Sequence, residues 1–229
     1  ELEAAVLDLR DDPGVRAVVI TASGTEHFSV GMDLKQLTFG AAERGGFEPV
    51  LDQRLRVLGM IEQLEKPVIA TMFGYCLGGG LELPLACHFR FAASEGAQIG
   101  LPELDLGTVP AWGGTARLTR TVGRAHALDM ILRAKKIDGP TALAIGLVHE
   151  LHPVDELKAK AIELAEQLAA QPPLAVAGVL RAVVGAEHAT LDEALRVERE
   201  AVRRCSGSAD QREGMRAFLE KRRPNFTGS

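Results

Sequence analysis

Leu2, Ala5, Val6 and Leu9 fall at the spacing of one helical face, which predicts a helix over Glu1 to Arg10. Asp11-Asp12-Pro13-Gly14 stops it, and the largely β-branched run Ala17-Val18-Val19-Ile20-Thr21 predicts a strand buried on both faces. After a polar turn comes Phe28 to Asp33, with Gly31 inside it. The apolar spacing from about Val50 to Leu64 predicts a second helix, and Pro67 to Thr71 a second buried strand. Gly78-Gly79-Gly80 then opens a helix through Leu81, Leu83, Leu85 and Ala86. Short strands near Phe89 to Ala92 and Gln98 to Leu101 precede a loop from Pro102 to Gly107. Alternating strands and helices favour an α/β architecture with parallel pairing.

From Gly114 onward the pattern is mostly helical, and only Gly146 to Glu150 resembles another strand. Thr190 with Glu193, and Ser208 with Gln211, have the spacing of capping boxes ahead of helical runs. Leu191, Ala194, Leu195, Val202 and Cys205 line one face of the penultimate helix, and the last helix ends in the basic cluster Lys221-Arg222-Arg223. This predicts an α/β core over residues 1–187 and a C-terminal helical region over 188–229, with no repeat or long linker.

Composition narrows the function classes. At 229 residues, 46% hydrophobic and 25% charged, the chain reads as a packed soluble protein. A net charge of −5 and only 4% aromatics disfavour nucleic-acid binding. The longest uncharged stretch, Pro67 to Leu81, is shorter than the roughly 20 apolar residues of a membrane span, so no membrane association is expected. Glu1-Leu2-Glu3 lacks the pattern of a signal peptide. Cys76, Cys87 and Cys205 are odd in number and set in apolar surroundings, which suits free thiols and a cytoplasmic location.

The segment from Gly74 to Glu82 carries the most chemistry. Adjacent glycines after a strand let the backbone approach a ligand, and a helix starting there offers unpaired N–H groups. Glu82, three residues beyond Gly79, would share its face. The plainer alternative is a tight turn with a glutamate complementing the helix dipole. Glu103 follows Pro102 on a loop at a strand end, where an α/β enzyme places catalytic groups, and Asp105 competes with it. In Ser29-Val30-Gly31-Met32-Asp33 the N–H after the turn glycine can point inward, although an ordinary glycine turn also accounts for it. No P-loop, dinucleotide fingerprint or nucleophile elbow is present, and the six histidines lack metal spacing, so neither a metal nor a separate cofactor is expected.

Taken together, Ala17 to Leu34, Gly74 to Cys87, Ile99 to Leu118 and Gly214 to Phe226 resemble, in order and spacing, the crotonase superfamily, also called the enoyl-CoA hydratase/isomerase family. The resemblance implies a spiral of ββα units with a C-terminal helical region that builds homotrimers, often paired into homohexamers. It implies an acyl-CoA thioester substrate, with coenzyme A as part of that substrate, held at an oxyanion hole made by the N–H groups of Met32 and Gly79. Glu82 and Glu103 fall on the two glutamate positions that mark true hydratases. The implied reaction is syn addition of water to a trans-2-enoyl-CoA in fatty-acid β-oxidation, with Glu82 as base and Glu103 as proton donor. Asp33, Leu34 and Lys35 match the strip lining the CoA portion. Phe218 and Lys221 match positions that reach CoA, usually from a neighbouring subunit.

Trp112 stands where relatives carry a small residue, which implies a narrower acyl pocket. Strands that precede the opening helix in relatives are not within this sequence. An enoyl-CoA isomerase, a hydratase of a specialised acyl-CoA, and a non-catalytic acyl-CoA or RNA binder remain the alternatives.

Overall fold

A computed structural model describes residues 1–33, 48–187 and 189–229. The chain forms two compact units, one of Val19–Ile61 with Val68–Ile162, the other of Glu1–Val18, Glu62–Pro67 and Glu163–Ser229. Among the described residues no single helix is long and apolar enough to cross a membrane.

The first unit holds the strands. β1 (Val18–Ile20), β2 (Val68–Met72), β4 (Phe89–Ala93) and β6 (Glu150–His152) form one sheet in the order β1-β2-β4-β6, and β3 (Tyr75–Leu77) pairs with β5 (Gln98–Gly100) in a second. The β2–β4, β4–β6 and β3–β5 pairings are parallel. Successive turns of the chain give one strand to the larger sheet and the next to the smaller, followed by a helix. After β2 and β3 comes α3 (Gly79–Leu85), and after β4 and β5 come a 3-10 turn (Glu103–Leu106) and α4 (Gly114–Leu132). β2 is buried along its whole length, which is why its sequence runs apolar without alternation. Leu81, Ile99, Leu101, Leu118 and Leu147 are likewise fully buried. α2 (Glu48–Glu62) turns Val57, Leu58 and Ile61 into the interior.

Pro84 inside α3 cannot donate to the carbonyl of Gly80. The buried Cys76 thiol donates to that carbonyl instead at 3.3 Å, and burial pushes its pKa far above the ordinary range, so it stays a neutral donor.

The strand expected at Gly146 to Glu150 begins only at Glu150. Gly146 to Val148 close the helix α5 (Gly139–Ala144), with the N–H groups of Leu147 and Val148 bonding back to the carbonyl of Ala142 at 2.8 and 3.3 Å. A helix end satisfies its carbonyls before the chain can extend.

The second unit contains α1 (Leu2–Asp11), the end of α6 (Val154–Ala169), α7 (Pro173–Ala186), α8 (Leu191–Cys205) and α9 (Ala209–Leu219). α8 starts with a reciprocal capping box between Thr190 and Glu193. At α9 the Ser208 hydroxyl accepts from Gln211 N, but the Gln211 side chain takes the N–H of Gly207 rather than that of Ser208. The tail is pinned back onto α9. Asp210, buried, accepts from the N–H groups of Thr227 and Gly228 at 2.7 and 2.9 Å. Glu213 accepts both guanidinium arms of Arg222 at 2.6 and 2.9 Å, and those bonds chiefly hold its pKa down to about 2.

Candidate active site

Parallel strands release the chain at a common edge, and loops gathered there can converge on one ligand. Ser29 pairs in parallel with Cys76 of β3, and β3 with β5. Val30-Gly31-Met32 leaves after Ser29, Gly78-Gly79 after Leu77, and Leu101-Pro102-Glu103 after Gly100. Four candidates separated by up to 71 positions in sequence are therefore delivered to one place by backbone pairing.

Close backbone approach explains the glycines. Gly31 sits at φ +86, and a Cβ on it would lie 3.0 Å from Gly79 N and 3.1 Å from Leu77 O. The Gly31–Met32 segment and the N–H of Gly79 are thus neighbours. Gly78 sits at φ +55, with the Glu103 carboxylate 3.1 Å from where its Cβ would be. A Cβ on Gly79 would run into the Trp112 ring, and one on Gly80 into the carbonyl of Ser29.

A cavity of about 240 Å³ opens here. Val30, Met32, Leu51, Leu106, Val109 and Trp112 make its wall apolar, and Gly79, Glu82 and Glu103 also line it. Glu82, 2% exposed, takes the N–H groups of Trp112 and Gly114 on one oxygen, Oε1, each at 2.8 Å. Its burial raises its proton affinity. The two N–H donors and the Arg117 cation oppose that rise without cancelling it. Glu103 is half-buried, and its pKa is pushed up to about 7, chiefly by burial and further by the neighbouring charge of Glu82. Its Oε2 is buried and has no hydrogen-bond partner among the described residues.

The expected loop at Glu103 is a 3-10 turn, with Pro102 as its N-cap. Proline's fixed φ and missing donor suit the residue that starts a tight turn. Asp105 is exposed and does not line the cavity. Asp33 is exposed, while Leu34 and Lys35 lie outside the described residues. Phe218, 83% exposed, and Lys221, just after α9 at φ +55, belong to the second unit and are not among the cavity's lining.

Two arginines at this site carry no motif in the sequence. The Arg54 guanidinium lies 5.5 Å over the Trp112 ring, and Arg117 donates to the carbonyl of Trp112 at 3.0 Å. The only local hint of Arg117 is its place in the first turn of a helix opened by two glycines.

The enoyl-CoA hydratase/isomerase family matches residues 1–229. The crotonyl-CoA hydratase of Syntrophomonas wolfei subsp. wolfei is 38% identical over 226 residues, covering 99% of this chain and 86% of that protein. The short-chain-enoyl-CoA hydratase of Clostridium acetobutylicum is 36% identical over 223 residues, 97% of this chain and 84% of that protein. The crystal structure of an enoyl-CoA hydratase from Bacillus anthracis superposes with a TM-score of 0.94 at 36% identity, covering 100% of this chain and 87% of that one. This chain belongs to the enoyl-CoA hydratase/isomerase family of enzymes, and its α/β spiral is the crotonase fold.

Proposed function

We propose that the chain is an enoyl-CoA hydratase that adds water in the syn sense to a trans-2-enoyl-CoA, giving the 3-hydroxyacyl-CoA. The observation that carries this reading is the pair of proton-seeking carboxylates on one apolar cavity, beside the Gly79 and Met32 backbone. In the proposed reaction Glu82 takes a proton from water as the water oxygen bonds to Cβ. The electron pair of the double bond moves to the thioester oxygen, where the N–H groups of Met32 and Gly79 receive the charge. Glu103 then gives its proton to Cα as the carbonyl re-forms. The pair ends with Glu82 protonated and Glu103 ionised, and exchange with solvent resets it.

The environments support this division of roles. Two N–H donors on Oε1 favour an ionised Glu82, whereas Glu103, with a pKa of about 7 and an unpartnered buried oxygen, is suited to carry a proton at neutral pH. A base and an acid of this kind each contribute about 100- to 10,000-fold.

Coenzyme A enters as part of the substrate, with Asp33, Leu34 and Lys35 proposed along it and Phe218 and Lys221 reaching it from a neighbouring copy. A homotrimeric or homohexameric assembly is supported by the exposed apolar side chains of the second unit, with Leu191 and Val202 73% and 64% exposed on α8 and Phe218 and Leu219 exposed on α9. Fatty-acid β-oxidation in the cytoplasm is the proposed setting, in keeping with the free thiols of Cys76 and Cys87.

The test follows loss of the conjugated enoyl-thioester absorbance when the protein meets crotonyl-CoA in water. Turnover to 3-hydroxybutyryl-CoA is expected. Conversion of a trans-3-enoyl-CoA to the conjugated thioester without hydration would make it an isomerase, and binding of both esters without turnover a non-catalytic binder.

Trp112 is proposed to close the acyl end of the cavity. Trp112→Gly should raise kcat/KM for an eight-carbon enoyl-CoA relative to crotonyl-CoA by about 10- to 100-fold, since each newly buried methylene is worth about 0.8 kcal/mol. An unchanged ratio would place the acyl chain elsewhere.

A further inference from the structure

We infer that Arg117 is a positioning residue for Glu82: by holding the carbonyl of Trp112 it fixes the Trp112–Gly114 turn, whose N–H groups clamp one carboxylate oxygen and leave the other to the reaction. The inference rests on the hydratase reading for its kinetic consequences but on geometry for its substance.

Glu82 sits on the seven-residue helix α3, and its Oε1 is gripped from α4's N-terminal turn by Trp112 N and Gly114 N, each at 2.8 Å. A Cβ on Gly114 would lie 2.8 Å from that same oxygen, so the turn has no slack on this side. On the other side of Trp112, its carbonyl accepts from Arg117 Nη1 at 3.0 Å, and Arg117 N donates to the carbonyl of Gly113 at 2.9 Å. The side chain thus fixes the Trp112–Gly113 peptide unit, while the Gly113–Gly114 unit is held by an ordinary helical backbone bond that a substitution at 117 would keep. Were this turn to relax, Oε1 would lose two aligned donors together, and a misplacement of about 1 Å in a catalytic group can cost about 100-fold.

The guanidinium also faces Glu82 electrostatically. Among the described residues, the charged group that acts on Glu82 is Arg117 from α4, while the nearby Glu103 of the 3-10 turn feels the charge of Glu82 in turn. Arg90, on β4, directs its guanidinium to the carbonyls of Leu147, Cys87 and Pro84. Arg117 is therefore the cation opposing the burial of Glu82, and removing it should make Glu82 bind its proton more tightly.

Arg117→Lys, Arg117→Gln and Arg117→Ala separate the two effects, since lysine keeps a charge, glutamine keeps a neutral donor and alanine keeps neither. With crotonyl-CoA, Arg117→Ala is expected to lower kcat by about 10- to 100-fold with KM within about threefold. The acid limb of the pH profile should move to higher pH in the Gln and Ala variants and stay in place in Lys. An unchanged kcat in Arg117→Ala, or one acid limb shared by all three variants, would overturn the inference. A carbon-13 titration of the Glu82 carboxyl, assigned with Glu82→Gln, reads the same effect without substrate. If wild type turns over no enoyl-CoA, the hydratase reading fails, and this titration in wild type and Arg117→Gln still decides the role of Arg117. A higher midpoint in the variant supports it, and equal midpoints overturn it.

Discussion

Glu103→Gln should lose hydration activity by about 100- to 10,000-fold and yet melt at a higher temperature than wild type above about pH 7. Both effects come from one cause. The carboxyl's ordinary pKa is 4.5, and in the fold it is about 7, so the folded state holds the proton more tightly than the unfolded chain. As pH rises from 4.5 to about 7 the unfolded chain releases its proton first, and Glu103 progressively destabilises the fold. Below 4.5 both states are protonated and the penalty is absent, while above about 7 it is complete. Glutamine does not titrate, so the stability gain of the variant should be negligible in acid, grow through this window and then level off. Thermal melts of both proteins across the window check it, and a constant difference at all pH values would show that Glu103 is not perturbed.

The same carboxyl must be protonated to act as the acid, so the hydration rate should fall as pH rises through about 7. Glu82→Gln removes the other limb. Its activity loss should be of the same order, but its profile should lack the acid-side decline. Identical pH profiles for the two variants would contradict the division into base and acid.

A second large effect is expected from Gly31→Ala, a change of one methyl group. The left-handed backbone at φ +86 costs a non-glycine residue roughly 1–2 kcal/mol. The added carbon would also press on Gly79 N and Leu77 O, at 3.0 and 3.1 Å, and both are backbone atoms, one opening α3 and the other ending the paired strand β3, so neither can swing aside as a side chain would. The two proposed oxyanion donors would be driven apart, and losing one such donor typically costs about 100- to 1,000-fold in kcat. Gly79→Ala makes the contrast. Its new methyl meets the Trp112 ring, a side chain that a second change can remove, so Gly79→Ala/Trp112→Gly should recover much of what Gly79→Ala loses. Full turnover in Gly31→Ala would show that these N–H groups are not the oxyanion donors.

The strand β2 was legible because all its positions but Thr71 are apolar, and α1 because its apolar residues recur on one face, patterns written in neighbouring residues. The helix opened by the triple glycine was legible for the same reason. The run at Ala17 to Thr21, expected to be buried on both faces, does form β1 but is only half-buried, since burial depends on what covers a strand and not on its own residues. The strand placed at Gly146 was not, because an apolar run after a glycine reads alike whether it closes a helix or enters a sheet, and only the bonds to Ala142 O distinguish them. The apolar stripe of α8 could be read as a stripe, but its exposure could not.

At the site, the sequence by itself determined which groups are present: two glutamates, two turn glycines and the backbone donors beside them, in an order that matches a family. Tertiary structure alone decided what those groups are. It set Glu82 against the N–H groups of residues 30 and 32 positions away, laid Trp112 across Gly79, and put Arg117 behind the turn that holds the carboxylate. A carboxylate's proton affinity depends on the water it has lost and the charges it faces. Both are properties of the packed whole, with no counterpart in the residues on either side of it in the chain.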